Sequence, residues 1–346
     1  MAAGFEPAAE ISRREPRAPV RFLKEAAINR VFAALLVALF ATGVFGEGYP
    51  ARPIRLIVPL VPGGNQDTIA RAVADEVAKG LGQQIVVENR PGASAILGTQ
   101  LVKAAAPDGY TLLSVSTTFA RVPAIVKSAG YDAAADFTGV SLICRIPQVL
   151  VVNPAVPAHS LQELIALARA KPGELSFGSA GAGSTGHVAA EMLMRQAGVR
   201  MLHVPYKGNA QALADVMGGQ ITMMFDQVSS SAPQIRAGRV RVIGVTTKTR
   251  SPLFPETPTL DESGLPGFDD VTWNGFVAPA GTPRDVLARL HAAIARAVSN
   301  PEFQKRWLER GIETGASASP AEYSAYIKAE AESFVKLAQE AGIKPE

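Results

Sequence analysis

Two glycine-rich segments of the sequence have the residue types and spacing to bind an anion. Pro62–Asp67 reads PGGNQD and Gly181–His187 reads GAGSTGH, and each follows an apolar, strand-like run and precedes a helical pattern. Glycines let the backbone turn sharply after a strand, and a helix beginning there presents unpaired N–H groups with about half a positive charge. Each loop is therefore a candidate anion site, and we expect the two to face one cleft.

The spacing G-x-G-x-x-G within Gly181–Gly186 leaves open whether the anion is the pyrophosphate of a dinucleotide. A dinucleotide-binding fold also needs a carboxylate about 20 residues further on, which binds the ribose. The corresponding stretch, Met201–Gly208, reads MLHVPYKG and contains none. Neither loop carries the Gly-Lys-Ser/Thr of a nucleotide-binding P-loop. The sequence predicts no cofactor.

A hydrolytic triad of Ser184, His187 and Asp226 is conceivable, but Ser184 lies in no G-x-S-x-G elbow. Ser184 and His187 are three residues apart at a predicted helix start, where N-capping accounts for both. No histidine has another histidine or a cysteine at the spacing of metal ligands. The sequence therefore predicts neither catalytic residues nor metal ligands.

Hydroxyl side chains near the ends of predicted strands can orient a carboxylate without a buried cation. They are Ser116, Thr117, Thr118, Ser179, Ser184 and Thr185. Three other roles stay open: Ser184 or Thr185 as helix caps alone, Asp67 as a first-turn partner of the helix dipole that never meets the ligand, and the loop glycines as close-packing positions alone.

Three charged residues have open roles in this scheme. Asp226 ends a predicted strand, and it either selects a ligand that carries a hydrogen-bond donor or caps backbone N–H groups. Arg121 and Arg145 can each offer a bidentate contact to a distal carboxylate, although solvent exposure is the commoner fate of an arginine.

The composition indicates a globular protein, and an apolar stretch near the N-terminus indicates that the protein is exported. Of 346 residues, 47% are apolar and 19% charged, and basic and acidic residues are interspersed, so no nucleic-acid partner is expected. Val31–Gly46 is an uncharged apolar stretch behind basic residues, shorter than the roughly 20 residues of a membrane-spanning helix. This pattern predicts a secretory signal peptide, with a retained membrane anchor as the alternative.

From Tyr49 on, strand-like runs alternate with helical patterns, which predicts an α/β fold with mostly parallel sheets. The predicted strands are Ile54–Val58, Ile85–Glu88, Thr111–Val115, Val149–Val152, Glu174–Phe177, Ile221–Phe225 and Val240–Thr246. The predicted helices are Thr68–Leu81, Leu161–Ala170, Thr185–Ala197, Ala210–Met217, Arg284–Val298, Pro301–Arg310 and Pro320–Ala341.

Two segments, Pro147–Pro157 and Trp273–Pro283, have the composition of connections between domains. If the C-terminal helices pack back onto the first domain, two connections join two lobes and a cleft lies between them. The predicted boundaries are 1–48 for the signal peptide, 49–148 with 275–346 for lobe 1, and 149–274 for lobe 2.

Eight segments, in order, resemble the extracytoplasmic solute-binding proteins of tripartite tricarboxylate transporters, the Bug-type or TctC-like family. They are YPARPIRLIVPLVPGGNQDTIAR, VVENRPGA, PDGYTLL, PGELSFGSAGAGSTGH, HVPYKG, GGQITMMFD, PTLDESGLPGF and APAGTP. The resemblance implies a two-lobed periplasmic binding protein of type II. Each lobe is then a mostly parallel sheet flanked by helices, with the ligand cleft between the lobes.

The resemblance also implies a periplasmic receptor that captures a small carboxylate and presents it to membrane permease subunits, and we expect this receptor to be a monomer. An exported enzyme acting on a carboxylate and the ligand-binding subunit of a sensor are the alternatives. The chain departs from the family pattern at Asn65-Gln66, where smaller residues are usual, and at Arg121, where a neutral residue is usual. The family's ligand loops fall on Pro62, Gly63, Gly64, Asn65, Asp67, Ser116, Thr117, Thr118, Ser179, Gly183, Ser184, Thr185, His187 and Asp226. A bulky residue at Gly64 or Gly183 is expected to abolish binding.

Overall fold

Strands and helices alternate along the chain in the computed structural model, which describes residues 48–181 and 183–340. The strands are β1 Ile54–Val58, β2 Ile85–Asn89, β3 Thr111–Ser116, β4 Phe137–Val152, β5 Ser176–Ser179, β6 Leu202–Pro205, β7 Met223–Gln227, β8 Arg241–Val245, β9 Val271–Pro279 and β10 Glu313–Thr314. The helices are α1 Asn65–Leu81, α2 Ile96–Lys103, α3 Thr117–Ile125, α4 Leu161–Ala170, α5 Thr185–Ala197, α6 Asn209–Met217, α7 Val228–Arg236, α8 Arg284–Val298, α9 Pro301–Leu308 and α10 Pro320–Glu340.

The N-terminal prediction cannot be compared with these elements, because the predicted signal peptide at Val31–Gly46 lies outside the described residues. Among the helices that the structure describes, none is long and apolar enough to cross a membrane.

The strands of the described chain form one mixed sheet in the order β2-β1-β3-β9-β4-β7-β5-β6, with β8 and β10 paired to β4. β2, β1 and β3 are parallel to one another, as are β6, β5 and β7. β4 and β9 run antiparallel to each other and to the strands beside them. The α/β prediction is therefore confirmed, and two parallel groups are joined through an antiparallel centre.

Strand β4 belongs to both groups because its partners change at Pro147. Residues 137–147 pair with β9, whereas Gln148–Val152 pair with β7. Proline has no N–H to donate to a ladder, so it is tolerated where one partner strand gives way to the next. We call β2, β1, β3, β9 and the first part of β4 the first half-sheet, and the last part of β4 with β7, β5, β6 and β8 the second half-sheet.

The C-terminal helix α10 packs against elements of both half-sheets. Near its start, Tyr323 and Ile327 share a buried apolar cluster with Val115 of β3. Near its end, Phe334 packs with Val188 of α5, a helix that covers β7 and β5 of the second half-sheet. The helix therefore ties the two halves together in addition to β4.

Candidate functional site

A cavity of about 620 Å³ opens where β4 passes from one half-sheet to the other. We call this cavity the cleft. Its wall contains the N-terminal ends of four helices, α1, α3, α5 and α6, together with Ile146 and Gln148 of β4 and Thr272 and Asn274 of β9. A helix N-terminus carries partial positive charge, so the cleft collects positive potential from several directions.

The described lining of the cleft contains a basic side chain and no acidic one. Among the described residues that line it, Arg121 is charged and none is acidic. The remaining lining residues are neutral polar or apolar side chains and glycines. An anion therefore meets no opposing carboxylate in the wall of the cleft, and a cation would find no acidic partner there.

The structure brings seven of the predicted site residues together in the lining of the cleft: Asn65, Ser116, Thr117, Thr118, Gly183, Ser184 and Thr185. Both glycine-rich loops thus contribute to one cavity, as expected from the sequence. The other seven lie outside the lining: Pro62, Gly63, Gly64, Asp67, Ser179, His187 and Asp226. Several of these hold the lining residues in place from behind.

The turn into α1 is shaped by Gly63 and Asp67. Gly63 has φ +86°, a conformation that favours glycine, whereas Gly64 has φ −72° and an added Cβ would come no closer than 4.0 Å to the Val61 carbonyl. The structure therefore places the backbone constraint at Gly63, and a small side chain at position 64 fits without strain. The expectation that a bulky residue at Gly64 abolishes binding stays a prediction.

The Asp67 carboxylate organises this turn without facing the cleft. It accepts the Gly63 N–H at 2.9 Å and hydrogen bonds from Arg71 and Asn89, the latter at 2.8 Å. Burial raises the pKa of Asp67, but these hydrogen bonds outweigh burial and leave its pKa below the usual value. The ionised carboxylate is therefore a structural part of the loop.

Replacing Asp67 with alanine is expected to weaken ligand binding about tenfold and to lower the free energy of unfolding by about 1–3 kcal/mol, because the Gly63 N–H loses its acceptor. Since the folded pKa is lowered, the contribution of Asp67 is present above its unfolded pKa of about 3.9 and is lost as pH falls through the folded value. The stability gap between wild type and variant should thus narrow below about pH 4. Denaturant titrations at several pH values and calorimetric titration measure both effects.

The matched control for this prediction is Asp75→Ala, on the exposed face of the same helix α1. Asp75→Ala should leave affinity unchanged. Equal effects of the two substitutions would show that Asp67 acts only as a general helix charge.

The turn into α5 is held by Ser184 and His187. The Ser184 side chain caps the helix by accepting the His187 backbone N–H at 3.4 Å. The His187 ring accepts the Gly183 N–H through Nδ1 at 3.0 Å. Ser184 Oγ and His187 Nδ1 each accept a backbone N–H, and the described contacts include no nucleophile–base hydrogen bond between the two side chains.

Behind this turn, His187, His203 and Phe177 form a stack of rings. The two imidazole centroids are 4.1 Å apart, and His203 lies 4.8 Å from Phe177. His203 also exchanges a 2.7 Å hydrogen bond with the hydroxyl of Ser179. Burial, with a smaller effect of the neighbouring His187, lowers the pKa of His203 to about 4. The stack is a rigid support for the turn, and Ser179 belongs to that support.

The three hydroxyl side chains at the start of α3 differ in burial and in hydrogen-bond partners. The Thr117 hydroxyl is buried and accepts the Trp273 backbone N–H at 3.1 Å, which joins α3 to β9. Ser116 and Thr118 share a hydrogen bond at 2.9 Å and lie on the less buried side of the turn. Their hydroxyls are therefore the ones that can turn toward a bound group.

Asp226 is fully buried at the end of β7 and holds the start of α6. Its carboxylate accepts the Asn209 side-chain amide at 2.7 Å and the Ser231 hydroxyl at 2.7 Å, and it also contacts the Ser230 hydroxyl. Burial raises the pKa of Asp226, and these hydrogen bonds oppose the rise. Asn209, not Asp226, lines the cleft.

The lining also contains residues that were not predicted from the sequence. The polar ones among them include Gln66, Gln148, Asn209, Gln227, Thr272 and Asn274. The sequence prediction missed Asn209. This residue follows Gly208 at the start of a helix, which is the same arrangement of glycine and helix start as in the two glycine-rich loops. Across the cleft, Asn65 donates to Gln227 at 2.7 Å and Thr272 donates to Thr185 at 3.2 Å, so α1 is linked to β7 and β9 to α5.

Metal binding has no support in the described part of the chain. No group of three or more His, Cys, Asp or Glu side chains there is arranged to hold an ion.

The chain is similar to known proteins over most of its length. A family model described as "Tripartite tricarboxylate transporter family receptor" (TctC) matches residues 69–343. The "UPF0065 protein in tcbD-tcbE intergenic region" of Pseudomonas sp. (strain P51) is 39% identical over 313 residues, which cover 89% of this chain and 93% of that protein.

Two solved structures share the fold over nearly all of the described chain. R. palustris Rpa4515 with adipate has a TM-score of 0.75 and 34% identity, covering 86% of this chain and 100% of that one. The periplasmic binding protein BugD has a TM-score of 0.71 and 34% identity, with coverage of 86% and 100%. These neighbours confirm the predicted two-lobed periplasmic binding protein fold of type II. With a family match over most of its length, the chain belongs to the TctC family of tripartite tricarboxylate transporter receptors.

Proposed function

We propose that the chain is a periplasmic receptor that binds a small carboxylate in the cleft and delivers it to the permease subunits of a tripartite tricarboxylate-type transporter. One observation carries the proposal: four helix N-termini meet at a cleft whose described lining contains no acidic side chain. Backbone N–H groups and helix dipoles bind a carboxylate there without needing a metal or a cofactor. The adipate bound to the relative Rpa4515 supports a carboxylate as the ligand class.

The predicted site residues divide into two roles in this proposal. Those that line the cleft form its binding surface: Asn65, Ser116, Thr117, Thr118, Gly183, Ser184 and Thr185. Among them, the Thr117 hydroxyl is already bonded to the Trp273 backbone N–H. The others lie outside the lining: Pro62, Gly63 and Gly64 form the exposed turn that leads into α1, and the buried Asp67, Ser179, His187 and Asp226 position the first group. Affinity then comes from charge-assisted hydrogen bonds to pre-aimed groups in a cleft that excludes water.

We also propose that the chain forms two lobes and that it works in the periplasm. Residues 49–148 with 275–346 form lobe 1 and residues 149–274 form lobe 2, a division that follows the change of partners in β4 to within a few residues. Residues 1–48 act as a signal peptide that exports the chain to the periplasm, where it works as a monomer without binding nucleic acid. The periplasmic relative BugD supports this location.

The experiment is a thermal-shift screen of the purified mature protein against mono-, di- and tricarboxylates, followed by calorimetric titration of the hits. A carboxylate at a hundred times its Kd should stabilise the protein by about 2.7 kcal/mol. For a protein of this size, such a stabilisation raises Tm by a few degrees. A protein that no carboxylate stabilises or binds would refute the proposal.

The competing enzymatic role makes a different prediction. We propose that the ligand leaves unchanged, which is supported by the engagement of the Ser184 and His187 side chains with backbone N–H groups. Each hit is incubated with the protein and followed by mass spectrometry for loss of ligand. Turnover that Ser184→Ala or His187→Ala abolishes would establish an enzyme instead.

A further inference from the structure

Three amide side chains in the lining of the cleft carry a hydrogen-bond acceptor that no protein group uses. They are Gln66 of α1, Gln148 of β4 and Asn209 of α6. In each, the side-chain nitrogen donates to another residue, and the side-chain oxygen has no hydrogen-bond partner among the described residues. We infer that Gln66 selects a carboxylate that also bears a hydroxyl group, whose O–H donates to the Gln66 side-chain oxygen. The inference rests on the proposed function and narrows its ligand class.

The orientation of the Gln66 amide is fixed by a backbone carbonyl. Its Nε2 donates to the Ser114 carbonyl oxygen at 2.9 Å and lies 3.3 Å from the Ser114 hydroxyl. A backbone carbonyl only accepts hydrogen bonds, so the group that faces it must be the amide nitrogen. Rotating the amide would bring two oxygens together and break this contact. The other branch of the amide, Oε1, is therefore a fixed acceptor.

The Gln66 oxygen is open to the cleft, although only 6% of the residue is exposed. The described side-chain atoms that are both enclosed and without a partner include two nitrogens of Arg121 but not this oxygen, so Oε1 keeps accessible surface. Because Gln66 lines the cleft, a ligand there can reach that surface. Polar groups in buried residues are normally hydrogen-bonded, and a ligand donor can satisfy this one without displacing a protein partner.

Gln148 and Asn209 repeat this arrangement, with carboxylates as the acceptors. Gln148 Nε2 donates to Asp270 at 3.0 Å, and Asn209 Nδ2 donates to Asp226 at 2.7 Å. The side-chain oxygens of Gln148 and Asn209 are also absent from the enclosed, unpartnered atoms of the described chain. Since α1 packs on the first half-sheet and α6 on the second, open acceptors come from both sides of the cleft.

A hydroxyl group fits these acceptors better than an ammonium group does. The described lining has no acidic side chain, and its charged residue, Arg121, is positive. Arg121 offers no open donor either, because Nη2 donates to Asp270 at 3.2 Å and the other two nitrogens are enclosed. An ammonium group would lose its water beside positive helix N-termini without gaining a carboxylate partner. A hydroxyl group carries no charge, and its hydrogen bond to Gln66 replaces one to water.

The place of Gln66 in α1 determines where the hydroxyl group lies on the ligand. Gln66 is the second residue of α1, so it belongs to the helix end whose N–H groups receive the carboxylate in the proposed function. A hydroxyl group that reaches Oε1 while the carboxylate stays at this helix end must be on a carbon near the carboxyl group. Acids with a hydroxyl group at carbon 2 or 3 are therefore the ligands that fit.

The test compares acids that differ in one substituent: butyrate with 2-hydroxybutyrate, 3-hydroxybutyrate and 2-aminobutyrate, and succinate with malate and aspartate. Burial raises the pKa of Asp270 to about 7, so titrations at pH 8 keep its carboxylate ionised and the Gln148 amide in place. By calorimetric titration of wild type, at least one hydroxy acid should bind about tenfold more tightly than the acid without the hydroxyl group. The amino acids should bind no better than the unsubstituted acids.

Gln66→Met removes the acceptor and keeps a side chain of similar length. The hydroxy acid should then bind within about twofold of its partner acid. Loss of the Ser114 hydrogen bond affects both acids alike, so the ratio of the two affinities reports the hydroxyl contact alone. Gln66→Asn takes its place if Gln66→Met does not fold. The asparagine amide is shorter by one methylene and cannot reach both Ser114 and the hydroxyl group, so it should lose most of the preference as well.

Gln100→Met is the matched control. Gln100 is a half-buried residue of α2 that lies outside the lining of the cleft, and its Nε2 donates to the Ala129 carbonyl oxygen at 2.9 Å. The substitution therefore removes the same kind of hydrogen bond at a distance from the ligand. Gln100→Met should keep the wild-type preference for the hydroxy acid.

The inference is overturned if no hydroxy acid binds more tightly than its partner acid, or if an amino acid is the tightest ligand of its set. It is also overturned if Gln66→Met, or Gln66→Asn in its place, keeps the wild-type preference. Binding of carboxylates without a preference would leave the proposed receptor function intact. Absence of binding to any carboxylate would overturn both.

Discussion

Gly186→Ala is expected to weaken ligand binding by about tenfold or more and to lower the free energy of unfolding by about 1–3 kcal/mol, the usual cost of overpacking. Gly186 is the second residue of α5 and lines the cleft. A Cβ at this position would lie 2.6 Å from the carbonyl oxygen of Phe225 in the buried strand β7. Backbone cannot turn aside as a flexible side chain can, so the start of α5 must move away from β7.

That movement carries the anion-binding N-terminus of α5 with it. Thr185 and the turn at Gly183 are displaced together, because the His187 ring fastens Gly183 to the same helix. Preorganised hydrogen bonds lose most of their value when their donors move by about 0.5–1 Å. Affinity should therefore fall more than the modest change in stability alone implies.

Calorimetric titration and thermal melts measure the two effects of Gly186→Ala. The matched control is Gly80→Ala, near the end of α1 and outside the lining of the cleft, where an added Cβ would come no closer than 3.8 Å to a side-chain nitrogen of Arg296. The control should bind within about twofold of wild type, since no atom has to shift. Wild-type affinity in Gly186→Ala would mean that the N-terminus of α5 does not contact the ligand.

Local signals in the sequence were sufficient for the helices that carry the site. Helix α5 has the predicted bounds, Thr185–Ala197, because Ser184 caps its start and Gly198 ends it in the left-handed conformation. Helix α1 begins at Asn65, three residues before the predicted start, because the residues after Gly64 already have helical geometry. Glycine turns and helix caps act over a few residues, so a single sequence reveals them.

The centre of the fold was less accessible to prediction. β4 extends from Phe137 to Val152, although the sequence analysis identified only Val149–Val152 as strand, and β9 falls in a segment interpreted as a connection. A strand covered on both faces lacks the alternation of apolar and polar residues that marks a half-buried strand. The pairing of Pro147 in β4 depends on distant strands, which local residues do not encode.

At the site, the sequence also does not show which side chain at the end of a strand faces the cleft. Asp226 and Gln227 are consecutive residues of β7, and successive side chains in a strand point to opposite faces. Gln227 lines the cleft and Asp226 is buried behind it. The sequence indicates that this strand end carries polar residues, but which of the two meets the cleft depends on how the sheet is packed.

Asp226→Ala is expected to lower the free energy of unfolding by about 2–4 kcal/mol, because it leaves several buried donors without an acceptor. The Asn209 amide and the Ser231 hydroxyl both donate to this carboxylate at 2.7 Å, and the site is fully buried. Affinity should also fall about tenfold, since Asn209 lines the cleft and loses the group that orients it. Asp226 is therefore a positioning residue that acts through Asn209.

Asp226→Asn and Asp215→Ala make this prediction specific. Asparagine keeps the volume and one acceptor oxygen, so Asp226→Asn should retain more stability and affinity than Asp226→Ala. Asp215 is a carboxylate on the neighbouring helix α6 that accepts the Tyr206 hydroxyl at 2.6 Å and lies outside the cleft lining, so Asp215→Ala should leave affinity unchanged. If Asp226→Ala instead tightens binding of simple carboxylates, its charge reaches the ligand directly. The carboxylate would then select ligands, as the alternative interpretation of the sequence holds.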